Sequence, residues 1–404
     1  MNNLELLAPA GDFEKLKTAF YFGADAAYVG GKSLTLRAYA GNFDDAEMER
    51  AVKYAHERGK KLYVAVNILA RNADLAKAAE YFAFLQSIGA DGTIVSDLGL
   101  MNVLKKAAPK LPLHVSTQAS ALNAETVKFY ADLGAKRVVL ARELSLEETA
   151  QIHAYVPETE LEAFAHGAMC IAYSGRCLLS SYFTGRDSNR GECAQPCRWS
   201  YELRERGSDG AYFPVEEDGR GTYILNSKDL NMADHLDEMA KSGITSFKVE
   251  GRMKSSYYIA TVINAYRRAI DAFLAEGAEY KKNPLFQGEL VKTAHRAFTV
   301  AYALGKREDT VNTEDSQSRG ERKFVATVLE YDGQRGRALI EMRNRFGKGD
   351  ILEVLSPHDT LNERIRVEGL TDEDGNEVAD AKIVQQKLWL HTDVRLSAGD
   401  ILRM

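Results

Sequence analysis

The chain has 404 residues, too many for one ordinary domain at roughly 150 residues each, so two or three domains or a large barrel with an appendage are expected. Apolar residues make up 45% and charged residues 27%, which excludes disordered, collagen-like and disulfide-stapled chains, and no apolar run approaches the ~20 residues of a membrane helix. A net charge of −6 with a pI near 5.9 argues against tight nonspecific nucleic-acid binding, which rests on Lys and Arg neutralising phosphates, while leaving room for a local basic patch. The start, Met1-Asn2-Asn3-Leu4-Glu5, lacks the basic and apolar stretches of a signal peptide, so a cytoplasmic location is expected.

Short apolar runs alternate with helical patterns over the first 250 residues or so. The expected strands are Leu4 to Leu7, Ala26 to Val29, Lys61 to Val66, Thr93 to Val95, Leu113 to Val115, Arg137 to Leu140, Leu161 to Phe164 and Ser246 to Val249. Each is short and β-rich or fully apolar, as strands buried on both faces are. Helical stretches such as Asp44 to Arg58 and Asn72 to Ile88 separate them, and Gly23, Gly59, Gly89, Gly134 and Gly243 stand where left-handed helix C-caps belong. Eight strands with intervening helices predict an α/β fold, a (β/α)8 TIM-like barrel; a doubly wound open sheet is the alternative. No Gly-x-Gly-x-x-Gly follows a strand.

The spacing breaks once. Residues 165–243 form an insertion before the last strand that holds every cysteine and a polar, Gly-rich, hairpin-like stretch from Glu205 to Tyr223. Long segments after a barrel strand usually carry function. A helix is expected from Tyr257 to Ala275, closing a catalytic barrel over residues 1–280, then a helical and polar linker over 281–322. Residues 323–404 read as a small all-β barrel or sandwich, with strands at Phe324 to Tyr331, Arg337 to Met342, Asp350 to Leu355 and Asp393 to Leu396. Asp332-Gly333 and Asp374-Gly375 mark turns.

Three familiar motifs are incomplete. Gly31-Lys32-Ser33 resembles the end of a phosphate-binding loop, but Ala26 occupies the position of its first Gly. His56-Glu57 begins like a zinc-protease motif, but Lys60 stands where the second His belongs, and no Gly-x-Ser-x-Gly elbow occurs. The cysteines are more informative. Cys170, Cys177, Cys193 and Cys197 all fall in HGAMCIAYSGRCLLSSYFTGRDSNRGECAQPCRWS. In a reducing compartment such clustering points to a metal site or redox chemistry rather than to disulfides. Four thiolates suit an iron–sulfur cluster or tetrahedral zinc, and unligated cysteines are the remaining reading. Gly167, Gly175, Gly185 and Gly191 are consistent with backbone folding tightly around a cluster or with ordinary loops.

The run Phe247-Lys248-Val249-Glu250-Gly251-Arg252-Met253-Lys254-Ser255 puts charges at the end of the last expected strand, with Ser255 as N-cap of the next helix. That corner of a (β/α)8 enzyme often binds anions, so Glu250, Arg252 and Lys254 are candidate catalytic residues; an ion pair of Glu250 with Lys248 or Arg252 that merely closes the barrel is the structural alternative. Arg37, Asn67, Gln118, Arg142 and Lys228 follow other strand ends, together with Tyr39, Asn42, Ser116, Thr117, Glu143, Asn226 and Asp229, and would line a polar cup for a small anionic substrate. Arg176, Arg186, Arg190 and Arg198 interleave with Tyr173, Tyr182, Phe183 and Trp199 around the cysteines, a pattern that serves packing and salt bridges or a nucleic-acid backbone and its bases.

The segment from Glu162 through Cys197 resembles the signature of the U32 family, historically labelled peptidases or collagenases, and so do LLAPAGDFEKLKTAFYFGADAAYVGG, STQASALNA and KVEGRMKSSYY. The resemblance runs from about Leu6 to about Ala275, and the terminal β region is similar to the small domain of longer members. It implies an oxygen-independent RNA hydroxylation enzyme, most similar to the branch that converts the tRNA wobble uridine to 5-hydroxyuridine. It also implies a 4Fe–4S cluster on Cys170, Cys177, Cys193 and Cys197, with zinc as the alternative, and prephenate as the hydroxyl donor. Prephenate is a dicarboxylate, for which Arg252, Lys254 and either Arg37 or Arg142 are candidate partners. The implied partners are tRNA, the small anionic cosubstrate and either a U32 paralogue or a second copy of the chain, without membrane or DNA. A U32-type peptidase and a zinc-stabilised, non-catalytic RNA-binding module are the competing functions.

Overall fold

The structure, a computed structural model, describes residues 4–35, 41–199, 217–218, 221–222, 227–305, 310 and 318–404. Seven parallel strands run in chain order: β1 (Glu5–Pro9), β2 (Ala26–Gly30), β3 (Lys61–Val66), β4 (Gly92–Val95), β5 (Leu113–Val115), β6 (Ala135–Val139) and β7 (Glu160–Ala168). The eighth, β8 (Ile244–Val249), pairs in parallel with both β7 and β1 and closes the barrel. Alternate residues of these strands point inward, so Tyr28, Tyr63 and Ile94 meet in the lumen while the intervening residues pack under the helices.

The helices before β7 are α1 (Phe13–Tyr21), α2 (Asp45–His56), α3 (Leu75–Ser87), α4 (Leu98–Ala107), α5 (Ala124–Asp132) and α6 (Leu146–Tyr155). Except for α3, which continues from a 3-10 turn at Asn72–Asp74, they begin where short polar side chains satisfy their first N–H groups. Asp44 and Ser145 make reciprocal capping boxes with Glu47 and Glu148. The glycines that end these stretches, and Gly243, all have positive φ, as the sequence predicts.

After β7 the chain leaves regular structure. The cysteine segment contains only a short helix, α7 (Leu179–Thr184), and two single 3-10 turns. Of the hairpin-like stretch, Glu217–Asp218 and Gly221–Thr222 pair antiparallel; its other residues, and Asn226, lie outside the described residues. A three-residue strand, Asp229–Asn231, then pairs antiparallel with the end of β7, and α8 (Leu236–Lys241) leads to β8. α9 (Ser256–Glu276) follows, with the Ser255 hydroxyl accepting the Tyr258 N–H at 3.2 Å.

Residues 281–322 are more than a linker. α10 (Pro284–Leu290) contributes Phe286 and Leu290 to the barrel's core, and Phe298–Thr299 pairs with Asp229–Asn231. Residues 306–309 and 311–317 of the expected polar linker lie outside the described residues.

The C-terminal region is all-β. Besides a two-residue pair, Phe346–Gly347 with Asp380–Ala381, its strands are β9 (Phe324–Asp332), β10 (Arg337–Met342), β11 (Ile351–Leu355), β12 (Arg364–Arg366), β13 (Leu370–Thr371), β14 (Lys387–His391) and β15 (Ile401–Arg403). The seven numbered strands form one antiparallel sheet in the order β12-β11-β15-β9-β10-β14-β13 around their own core. Asp393 to Leu396, expected as a strand, is the connection between β14 and β15. There the Thr392 hydroxyl accepts the Val394 N–H at 3.1 Å and Asp400 accepts the Ser397 N–H at 2.8 Å, so side chains rather than a ladder satisfy the backbone. Among the described residues no helix is long and apolar enough to cross a membrane.

Candidate active site

The barrel interior is unusually polar for a packed lumen. Near the N-terminal ends of the strands, the buried Arg137 guanidinium reaches Glu5 at 2.5 Å, Glu160 at 2.7 Å and Glu162 at 3.1 Å. Lys248, one turn of the pleat higher on β8, donates to Glu162 at 2.6 Å and lies over the rings of Tyr28 and Phe164. Its alternative partner in the sequence reading, Glu250, points further up toward the mouth. Burial holds the Lys248 ammonium below the ordinary lysine range, although Glu162 opposes the shift. Burial alone would raise the Glu5 carboxyl, but Arg137 outweighs it and the group ends below its usual range.

Above this ladder a cavity opens at the C-terminal ends of the strands, where barrel enzymes keep their chemistry. Its walls carry Asn67, Gln118, Arg142, Lys248, Glu250 and Arg252, facing Cys170, Cys177 and Cys193. The structure therefore brings together four strand-end residues, two residues after β8 and three of the cysteines. Glu250 and Cys170 also border a second cavity, which holds Lys254, Asp229, Arg296 and Arg198. Lys254 thus faces away from Arg252. Lys228 is half-buried, its N–H donating to the Thr310 carbonyl at 2.9 Å, and lines neither cavity as described. Arg37 and Tyr39 lie outside the described residues.

The two arginines are held by the chain itself. Arg252 is only 3% exposed, and its guanidinium donates to Thr35 at 2.9 Å and to Asn42 at 3.1 Å. It lies so close to Gly30 that a Cβ there would sit 2.6 Å from it, which is why this strand ends in glycine. Arg142 donates to the Ala168 carbonyl at 2.7 Å and the Ser174 hydroxyl at 3.3 Å, and stacks over Phe164, fastening the start of the cysteine segment to the end of β6. Arg190 fixes the far side of that segment through Asp74 at 2.9 Å.

Within the segment, Gly167, Gly175, Gly185 and Gly191 all have positive φ. The Cys177 carbonyl accepts the Ser188 hydroxyl at 2.7 Å, and the Cys193 sulfur accepts the Gln195 N–H at 3.4 Å. Cys197 is half-buried. Burial pushes its thiol up to about 11; Arg198 opposes this, and the other three thiols are near enough to add to the rise. A cation bound among these four neighbouring sulfurs would stabilise them as thiolates. Among the described residues no three cysteine, histidine or carboxylate side chains gather as a single-ion site. Three cysteines lining the cavity and Cys197 near them make four soft donors, the number an iron–sulfur group takes with each thiolate on its own iron.

Two further features escaped the sequence reading because they depend on long-range packing. Arg296 pairs with buried Asp229 at 2.6 Å, a contact across 67 positions, and outweighs burial to hold that carboxylate below its usual range. His166, at the end of β7, is fully enclosed by Tyr258, Tyr266 and Phe298; burial pushes it down to about 3, so it is a neutral ring at pH 7.

Residues 11–313 match peptidase family U32, and residues 321–403 match the peptidase family U32 C-terminal domain. The chain is 39% identical over 402 residues to "tRNA hydroxylation protein P1" of Bacillus subtilis (strain 168), covering 99% of this chain and 94% of the relative. It is 37% identical to "tRNA hydroxylation protein P" of Escherichia coli (strain K12), covering 89% and 87%. A relative named "Collagenase" in Porphyromonas gingivalis (strain ATCC BAA-308 / W83) is 30% identical, covering 88% and 87%.

Proposed function

The chain belongs to peptidase family U32, and from that premise we propose that it is an RNA-modifying enzyme that hydroxylates tRNA. The specific reaction proposed is oxygen-independent conversion of the wobble uridine to 5-hydroxyuridine, with prephenate as hydroxyl donor. The observation that carries this reading is a cavity with buried cations lined by Cys170, Cys177 and Cys193, with Cys197 near them. The names of two relatives that align over nearly the whole chain support it.

Cys170, Cys177, Cys193 and Cys197 would hold a 4Fe–4S cluster. Such a cluster supplies one-electron or Lewis-acid chemistry at the barrel mouth. The protein's own part is to bind and orient. Lys248 and Arg252 place positive charge on the cavity wall, where a dicarboxylate is drawn out of water and held in one pose. Arg252 is itself fixed by Thr35 and Asn42, so it would meet an anion with little reorganisation. Glu250, at the lip, is positioned to accept or return a proton as the base changes, and Asn67 and Gln118 offer amides to a pyrimidine edge.

The relative named collagenase supports a peptidase as a second reading. Among the described residues no histidine lines the cysteine-bearing cavity, so an imidazole base to activate a thiol or hydroxyl is lacking there.

The test uses a bacterial strain deleted for its own tRNA hydroxylation proteins. Expression of this chain should restore 5-hydroxyuridine in digested tRNA, read by mass spectrometry, and expression of Cys177→Ala should not. A soluble, well-expressed chain that leaves the uridine unmodified would overturn the proposal.

A further inference from the structure

The face that carries the cysteines also carries a ridge of aromatic rings. α7 presents Tyr182, 82% exposed, and Phe183, 47% exposed, while Trp199, 42% exposed, stands two positions beyond Cys197. The rings stand in series: Tyr182 meets Phe183 edge-on at 5.1 Å, and Phe183 meets Trp199 at 6.4 Å. Tyr173, also exposed, lines the cavity beside Cys170 and Cys177 and so brings aromatic surface to its lip.

Folding leaves much of these rings in water. An aromatic ring stabilises a fold by leaving water, and a contiguous exposed apolar patch marks a binding surface. The charge of the segment is positive, with Arg176 exposed, Arg186 at the end of α7 and Arg198 beside Trp199, against Asp187 and Glu192. Arg190 pairs with Asp74 at 2.9 Å, Arg186 donates through Nε to the Glu192 carbonyl at 2.9 Å, and Arg198 donates to the Gln195 side-chain oxygen at 2.6 Å. In a chain of net charge −6 this is a local departure from the overall sign. Aromatic faces flanked by guanidinium groups suit unpaired bases and their phosphates, because every base has a π-face and stacking needs no particular sequence. A duplex offers no free base faces to such a ridge.

We propose that the Tyr182–Phe183–Trp199 ridge is the docking surface for a single-stranded RNA loop. Its bases stack on these rings, Arg176 and Arg186 face its phosphates, and the target base passes Tyr173 into the cavity. The inference rests on the RNA-hydroxylation reading above and names the surface that would recognise the RNA.

The test is fluorescence anisotropy of a labelled anticodon stem-loop with the full-length, anaerobically purified protein, beside a fully paired duplex of equal length. The wild type should bind the stem-loop more tightly than the duplex. Tyr182→Ala, the variant least able to disturb the fold, should weaken stem-loop binding about fivefold or more. The combined Tyr182→Ala, Phe183→Ala variant should weaken it further, and Tyr182→Phe should restore it. Binding by wild type that both alanine variants retain unchanged would overturn the ridge and leave the hydroxylation reading standing. A wild type that binds neither RNA would overturn both. A shift in sedimentation from dimer to monomer in the variants, with RNA affinity unaltered, would overturn the RNA assignment and mark the ridge as a contact between copies of this chain.

Discussion

His166 shows how burial at one residue becomes a property of the whole chain. The ring is packed among Tyr258, Tyr266 and Phe298 and stays neutral down to about pH 3, whereas an unfolded histidine titrates near 6.5. Between those values the unfolded chain binds a proton that the folded chain refuses. Stability is therefore full above about pH 6.5 and is lost as pH falls toward 3. His114, also fully buried, is shifted in the same direction. Glu5 and Asp229, held low by arginines, lose their own contribution chiefly at more acid pH, while Glu143, raised by burial, shifts the opposite way. From pH 7 to 5, His166 should cost about 2 kcal/mol of stability. Urea denaturation at the two pH values should show His166→Gln losing about that much less than the wild type; an undiminished pH slope in the variant would contradict the assignment.

Among the elements, the cysteine segment has little secondary structure of its own and depends on side chains that fasten it. Arg142 holds its start through the Ala168 carbonyl and Ser174, and Arg190 its middle through Asp74. Losing the first fastening should lower the cost of local opening by about 1–3 kcal/mol while the barrel stays folded. Arg142→Ala should therefore be cut by trypsin at Arg176 and Arg186 about tenfold faster than wild type, with its thermal midpoint nearly unchanged. Equal cleavage rates would show that the segment is held by other contacts. Much of this architecture was legible in the sequence. Strands buried on both faces read as apolar runs, and the punctuating glycines took the conformation that only glycine adopts easily. The cysteines were legible because they are clustered. Arg296 and the Glu162–Lys248 pair were not, because partners 67 and 86 positions apart leave no local pattern. Asp393 to Leu396 alternates like a strand, yet the hydroxyl of Thr392 and the carboxylate of Asp400 turn its backbone out of the sheet.

At the scale of the molecule, barrel and C-terminal sheet are joined by a buried ionic knot. The fully buried Arg403 on β15 donates to Glu289 of α10, Glu353 of β11 and Asn362, each at 2.8 Å, and Lys292 engages the same three groups. α10 is in turn packed on the barrel, and the chain just beyond it brings Arg296 to Asp229 beside the second cavity. The sheet thus braces, through α10 and the chain beyond it, the Arg296–Asp229 wall of the second cavity, which Glu250 and Cys170 also line. The resulting frame is a barrel with a cation-bearing cavity lined by Cys170, Cys177 and Cys193, with Cys197 near them. What those thiols hold decides the function. Iron, zinc and acid-labile sulfide should be measured together after strictly anaerobic purification from iron-replete cells. About four iron and four sulfide per chain are expected, and both should be lost in Cys177→Ala. Zinc alone, at one equivalent and with no sulfide, would contradict the hydroxylase account.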